Sequence, residues 1–216
     1  MAGRIRGAVA AAVAAVGVVT GAGAADEPKA GGKAVPPGTP LALTVSGKAA
    51  YPFEPGTLTP EAYKKLIEGL AKPDPKKPFG AKIPAPPAVD LTVELKNTSA
   101  GPVAVWAKGD PVVLTLNLSG KGAVNVDPPV AMTLEFRIPE AVKLDAGKSH
   151  AFAVKALKSG HRGGTHYSYW TGPGDYELTA TLQTGVQPVP KGAKERDGFG
   201  MVTVTSAPFK LTVGAK

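Results

Sequence analysis

The stretch "HRGGTHYSYWTGPGDYELTATLQT", residues 161–184, gathers most of the side chains in this chain that can do chemistry. It holds two of the three histidines, one of the two tryptophans and three of the five tyrosines, and His150 lies just upstream. Imidazoles that converge on one point can hold zinc or copper. His161 and His166 are five residues apart, and on a single strand that spacing sends them to opposite faces. Gly163 and Gly164 argue against a stable helix between them. Only a curled loop would bring both to one ion, with His150 as a third ligand. There is no cysteine to help, and the nearest acid, Asp175, starts the next strand. The spacing matches none of the strong ligand patterns, so no metal or cofactor is expected. The alternative is a periplasmic metal-handling protein that uses His150, His161 and His166 for zinc or copper.

Catalytic chemistry has less to stand on. Ser168 sits between Tyr167 and Tyr169 without the glycines of a Gly-x-Ser-x-Gly elbow. Ser149 and His150 are chain neighbours, which face apart on a strand. Glu195 and Asp197 could give calcium two oxygens, but a site needs six or more, so "KERDGFG" reads as a hairpin tip. No enzyme is expected. Arg162, His166, Tyr167, Tyr169 and Trp170 are instead the candidate binding residues, since aromatics and arginine are enriched at binding hot spots. They fall in a segment, 159–173, read as a long loop. Its other reading is a cover for the end of the core, with polar tips outward.

The elements that must position these side chains announce themselves by a period of two. Leu91, Val93 and Leu95 alternate with polar residues, as do Leu114, Leu116 and Leu118. So do Met132, Leu134, Phe136 and Ile138, then Phe152 and Val154, then Tyr176, Leu178, Ala180 and Leu182. Val202 and Val204, then Phe209, Leu211 and Val213, repeat the rhythm. Such alternation puts one face of a strand on a core and the other in water. Turn signals separate the runs: "NTSAGP", "KGDP", "SGKG", "DPP", "DAGK" and "TGPG". The expected fold is all-β, an antiparallel two-sheet sandwich of seven or eight strands in one domain over 41–216.

Two segments stand outside that rhythm. An insertion spans 52–88. Within it "TPEAYKKLIEGL" predicts a helix over 60–70, with Thr59 as N-cap, Pro60 at the first helical position, and Ala62, Leu66 and Leu70 recurring every four residues beside Ile67. The Pro- and Lys-rich stretch 72–88 then breaks the helix and reads as an extended connection. At the other end, residues 1–25 have the charged, apolar and small-residue order of a secretory signal peptide, and 26–40 read as a flexible leader. The expected location is therefore secreted or periplasmic. Without cysteines the fold must hold by burial alone. No stretch of the mature chain is apolar enough for a membrane span. Removing Arg4 and Arg6 leaves 23 basic against 17 acidic side chains, about +6, and much of that excess sits between Lys64 and Lys82. An anionic polymer is the partner this patch suits, and another envelope protein is the other expected partner. Nucleic acid is not expected, because the basic residues are not interleaved with stacking aromatics.

Three pieces resemble the immunoglobulin-like sandwiches of exported bacterial proteins. "LTVELKNTSAGPV" (91–103) resembles their early strand and polar turn, "PGDYELTATL" (173–182) their late Pro-Gly-x-Tyr strand, and "VTSAPFKLTV" (204–213) their closing strand with a Ser-x-Pro bend. The turn and the Pro-Gly-x-Tyr strand are also similar to the proteinase-inhibitor-type sandwiches. The resemblance implies a fold and carries no activity. Three residues also have structural roles on physical grounds. Gly174 can take a positive φ at a sheet corner. Tyr176 can bury its ring and return its hydroxyl to nearby backbone. Pro208, lacking an N–H, belongs at a bend where the last strand changes partner.

Overall fold

In the alternating runs the apolar positions turn inward. Leu91, Val93 and Leu95 are buried, while Asp90 and Lys96 are exposed. The computed structural model describes residues 38–72, 83–128, 136–161 and 164–215, and these belong to one compact unit. The expected signal peptide, nearly all of the leader and most of the Pro/Lys-rich stretch lie outside the described residues.

The strands are β1 (Leu41–Gly47), β2 (Ala50–Pro52), β3 (Ala88–Asn97), β4 (Val103–Lys108), β5 (Val113–Gly120), β6 (Ala123–Val126) and β7 (Glu140–Leu144). Then follow β8 (Ser149–Ala156), β9 (Lys158–His161), β10 (Gly164–Trp170), β11 (Gly174–Gln187), β12 (Lys194–Arg196), β13 (Phe199–Thr205) and β14 (Phe209–Gly214). A three-stranded sheet runs β1-β3-β8. A larger one runs β12-β13-β11-β5-β9-β10-β6, with β4, β7, β14 and β2 attached. The chain is an all-β sandwich with one short helix among the described residues. Among the described residues fourteen strands replace the expected seven or eight, largely because β2, β6, β9 and β12 are pieces of three or four residues. Such short runs carry no readable alternation. One pair is parallel rather than antiparallel: Thr212, Val213 and Gly214 of β14 face Ala50, Tyr51 and Pro52 of β2.

The 14-residue β11 is the spine of the larger sheet. Tyr176, Leu178, Ala180, Leu182 and Val186 all turn inward from it and are essentially buried. Each large aliphatic side chain so placed contributes about 1.5–3 kcal/mol relative to exposure. One edge of β11 meets β5 over Tyr176–Gln183, and Val186 lies between Val105 of β4 and Gly200 of β13. Here one expectation is met in part. At Pro208 one partner is kept and the other changes: β13 and β14 both pair with β11, over 181–186 and 174–178, while the neighbour on the other side passes from β12 to β2. Between β13 and β14 Ser206 holds the ladder together. Its N–H donates to Ala180 O at 2.8 Å and its hydroxyl accepts from Ala180 N at 3.0 Å. Pro208, exposed and without an N–H to place, occupies the interruption.

Two further corrections concern patterning. The strand expected over Met132–Ile138 is absent in its described part. Phe136 and Ile138 are 57% and 79% exposed and lie in irregular chain. The backbone of Arg137 bonds Asp110 instead of a strand, donating to the carboxylate at 3.0 Å and accepting from the Asp110 N–H at 2.9 Å. Pro139 then stops any ladder from continuing. The helix α1 (Pro60–Leu70) forms where expected, and Thr59 accepts from Ala62 N at 3.2 Å. Its buried face is Tyr63 and Ile67, not Ala62 and Leu66. Tyr63 packs edge-on to Phe53, 5.9 Å between centroids, and the larger ring decides which stripe faces inward.

Candidate functional site

The segment expected as a long loop is a β-hairpin. β9 and β10 pair antiparallel, with His161 opposite Gly164 and His166 opposite Ser159. Because the chain reverses between His161 and Gly164, the five-residue spacing puts both histidines on one face, not on opposite faces. The His161 ring lies over Gly164, where an added Cβ would come within 2.6 Å and push the exposed ring aside. Arg162 lies outside the described residues. His150 is elsewhere, on β8 of the three-stranded sheet, opposite Leu95 and edge-on to Phe152. Among the described residues no group of three or more His, Cys, Asp or Glu side chains is placed to hold a metal ion.

His161 and His166 share a shallow cleft of about 300 Å³ with Asp127, Thr115 and Thr165. Asp127 is the acid that matters there. Its Oδ1 is 2.7 Å from His166 Nδ1, and on the far side of the ring Nε2 is 3.5 Å from Ser168 Oγ. An acid, an imidazole and a hydroxyl in series is the order of an activated nucleophile. Ser168, however, is fully buried, and its Oγ is 2.7 Å from both Leu116 O and Asn125 Oδ1. Its single proton is already drawn to two acceptors, and no substrate can reach the oxygen. Asn125 in turn bonds both backbone groups of Leu118. The series therefore ties β6, β10 and β5 together. Asp175, the acid nearest in sequence, starts β11 as expected and accepts from the Thr212 hydroxyl. Asp127 lies 39 residues from His166 with no local pattern to mark it.

The aromatics of the hairpin lead to a second cleft. Tyr169 is fully buried and donates its hydroxyl to Pro84 O at 2.8 Å. Trp170, 4% exposed, stacks on Tyr51 at 5.6 Å and 27°. Tyr167 is half-buried, with Lys158 Nζ 5.8 Å from its ring centre. Tyr176 lies 6.3 Å beyond Trp170 and donates to Gly172 O at 2.7 Å, closing the corner that Gly174 opens at φ +153°. Tyr51, Trp170 and Tyr63 line a cleft of about 360 Å³ together with Pro52, Pro55 and the 84–87 segment. Burial pushes the Tyr63 hydroxyl up to about 12 and raises those of Tyr169 and Tyr176. For Tyr169 the neighbouring Tyr63 and Tyr167 add to the effect, and for Tyr176 the bond to Gly172 opposes it. All three stay neutral hydrogen-bond donors at physiological pH. The Tyr51 hydroxyl accepts from Asp90 N at 2.9 Å. The Asp90 carboxylate bonds the Lys155 ammonium, whose hydrogen bond and charge hold its pKa below the usual carboxylate range.

The chain matches no family model, no curated protein and no solved structure. Of the two clefts that hold predicted site residues, one joins His161 and His166 to Asp127 and the other joins Trp170 to Tyr51 and Tyr63. Tyr51, Tyr63 and the prolines of that cleft were missed in the sequence because they lie 80 residues or more before Trp170. The one hint was that Tyr51 and Tyr63 stand beside and within the proline-bearing insertion.

Proposed function

We propose that the chain is an exported, non-enzymatic, immunoglobulin-like binding module of the bacterial envelope, and that it holds its partner in the aromatic cleft. The observation that carries this reading is the cleft itself. Three largely buried aromatic rings, Tyr51, Tyr63 and Trp170, line a concave surface rimmed by prolines. Concave, mostly apolar sites with a few fixed polar groups are where ligands bind. The signal-like N-terminus supports export, and the cysteine-free sandwich suits a module that stands by burial alone. The burial of Ser168 supports binding over turnover.

The test is site-specific photo-crosslinking in the producing cell. A photoreactive side chain at Pro52, exposed on the cleft rim, is compared with one at Lys96, exposed near the opposite end of β3. The expected result is a discrete adduct in the envelope fraction from position 52 alone. Identical adducts from both positions, or retention of the full-length chain in the cytoplasm, would refute the proposal.

A further inference from the structure

We infer that β8 is a dimerisation edge: two copies of the chain pair antiparallel along β8 and join their three-stranded sheets into one of six strands. An edge strand is a template for further pairing, and proteins blunt such edges with short length, proline or charge. The other edges here are blunted. β2 and β12 have three residues each, β2 with Pro52 and β12 with Lys194, Glu195 and Arg196 exposed. β6 has four and runs into Asp127 and Pro128, while β7 has five, follows Pro139 and carries Glu140 and Lys143. β1 closes against β11 and β13 and buries Leu41 and Leu43. β8 is different. It has eight residues and no proline, and Lys155 is its one lysine, arginine or acidic residue. Among the described residues it pairs with β3 alone. Its inward His150 and Phe152 stay half-exposed, although Leu95 and Val93 opposite them are fully buried.

Symmetry and charge select the occupant and the register. A two-fold axis between antiparallel strands sets one residue opposite its own copy, and every contact then occurs twice. The outward row of β8 is Ser149, Ala151, Ala153 and Lys155, beside Lys96, Glu94, Thr92 and Asp90 of β3. With Phe152 on the axis, Lys155 of one copy would face Ser149 of the other, next to the like charge of Lys96. With Ala153 on the axis it faces Ala151, next to Glu94. Glu94 is half-buried and has no ion-pair partner among the described residues. The two side chains then stand two strand spacings apart, about 9.6 Å, with only the methyl group of Ala151 between them. An extended lysine and glutamate close that span. Asp90, which holds Lys155 within the chain, also lies in the field of Lys48, so it keeps a cation when Lys155 swings across. On the inward side the same register sets Phe152 against Val154 of the second copy, an aromatic–β-branched pair of the kind that stabilises sheets, and covers the half-exposed ring.

The absence of cysteine makes the register measurable. Single cysteines replace Ala153 and, as a control, Ala151, both exposed on the same strand. Facing residues of an antiparallel pair have Cα atoms about 4.5–5.5 Å apart, within the reach of a disulfide. Residue 151 and its copy are offset by four positions along the strands, about 14 Å. Under a mild oxidant Ala153→Cys should form a disulfide-linked dimer at least tenfold faster than Ala151→Cys. One strand contact is a small interface, so sedimentation velocity of the native chain is run from about 5 to about 500 µM and should show a monomer–dimer equilibrium. Glu94→Lys brings like charges together twice and should weaken the dimer at least tenfold. Its side chain points away from the core, so the melting temperature at the dilute end should not change. A single monomeric species over the whole range, dimerisation indifferent to Glu94→Lys, or linking at 153 no faster than at 151 overturns the inference. So does an Ala153→Cys adduct to a different envelope protein with no self-linked dimer, which would make β8 the edge for a foreign strand. None of these readouts involves the aromatic cleft, so the pairing stands or falls apart from the crosslinking result at Pro52.

Discussion

Replacing Tyr169 by Phe removes one oxygen and tests whether the proline segment is held from below. Tyr169 is fully buried and its hydroxyl lies 2.8 Å from Pro84 O, a good O–H···O distance. Two magnitudes compete. An ordinary intramolecular hydrogen bond is worth about 0.5–1.5 kcal/mol, while orphaning a buried acceptor costs about 1–3 kcal/mol. Pro84 is half-buried, so water can reach its carbonyl once the tyrosine proton is gone, and the smaller figure applies. The loss should be about 1 kcal/mol, or roughly fivefold in a local opening equilibrium. The reporter is the Leu157 amide, whose bond to Pro87 O at 2.9 Å breaks when the segment lifts. Hydrogen exchange at Leu157 should accelerate about fivefold beyond any change at Asn97, whose amide bonds Lys148 O far from the segment. If the two amides accelerate in step, opening is global and Tyr169 does not pin the segment locally.

Tyr176→Phe deletes the bond to Gly172 O at 2.7 Å and should cost about 1 kcal/mol, read as a lower thermal midpoint, and an unchanged midpoint would refute the corner. Tyr63 makes stability pH-dependent at the alkaline end. An unfolded tyrosine ionises near 10 and folded Tyr63 near 12, so below pH 10 both states keep the proton and stability is full. Above pH 10 the unfolded chain loses its proton first, and the contribution is lost as the pH rises toward 12. Between pH 9 and 11.5 the urea midpoint of Tyr63→Phe should therefore fall less than that of the native chain, and parallel curves would show that the hydroxyl is not desolvated.

What was legible in the sequence was what local physics decides. Thr59-Pro60 could start a helix on their own chemistry, and α1 begins there. The alternation of 91–96 and 176–182 could place residues inside or outside with no knowledge of the partner strand, and those residues face as expected. What failed depended on distant chain. Phe136 and Ile138 alternate like core residues, but Asp110, 27 residues away, takes the Arg137 N–H and leaves them in the open. The helix stripe was set by Phe53, and the acid beside His166 came from across β6. His161 and His166 show the same limit at short range: five residues mean opposite faces along one strand and the same face across a turn, and the glycines at 160, 163 and 164 were the sign that a turn was there. The aromatic cleft is the extreme case. It joins residues near 51, 63, 84 and 170, each with an ordinary local role, and only the packing of α1 and the 84–87 segment beside β2 and β10 makes them one surface. Period-two patterning can fix a sandwich without fixing its ends, because the ends are built where the pattern stops.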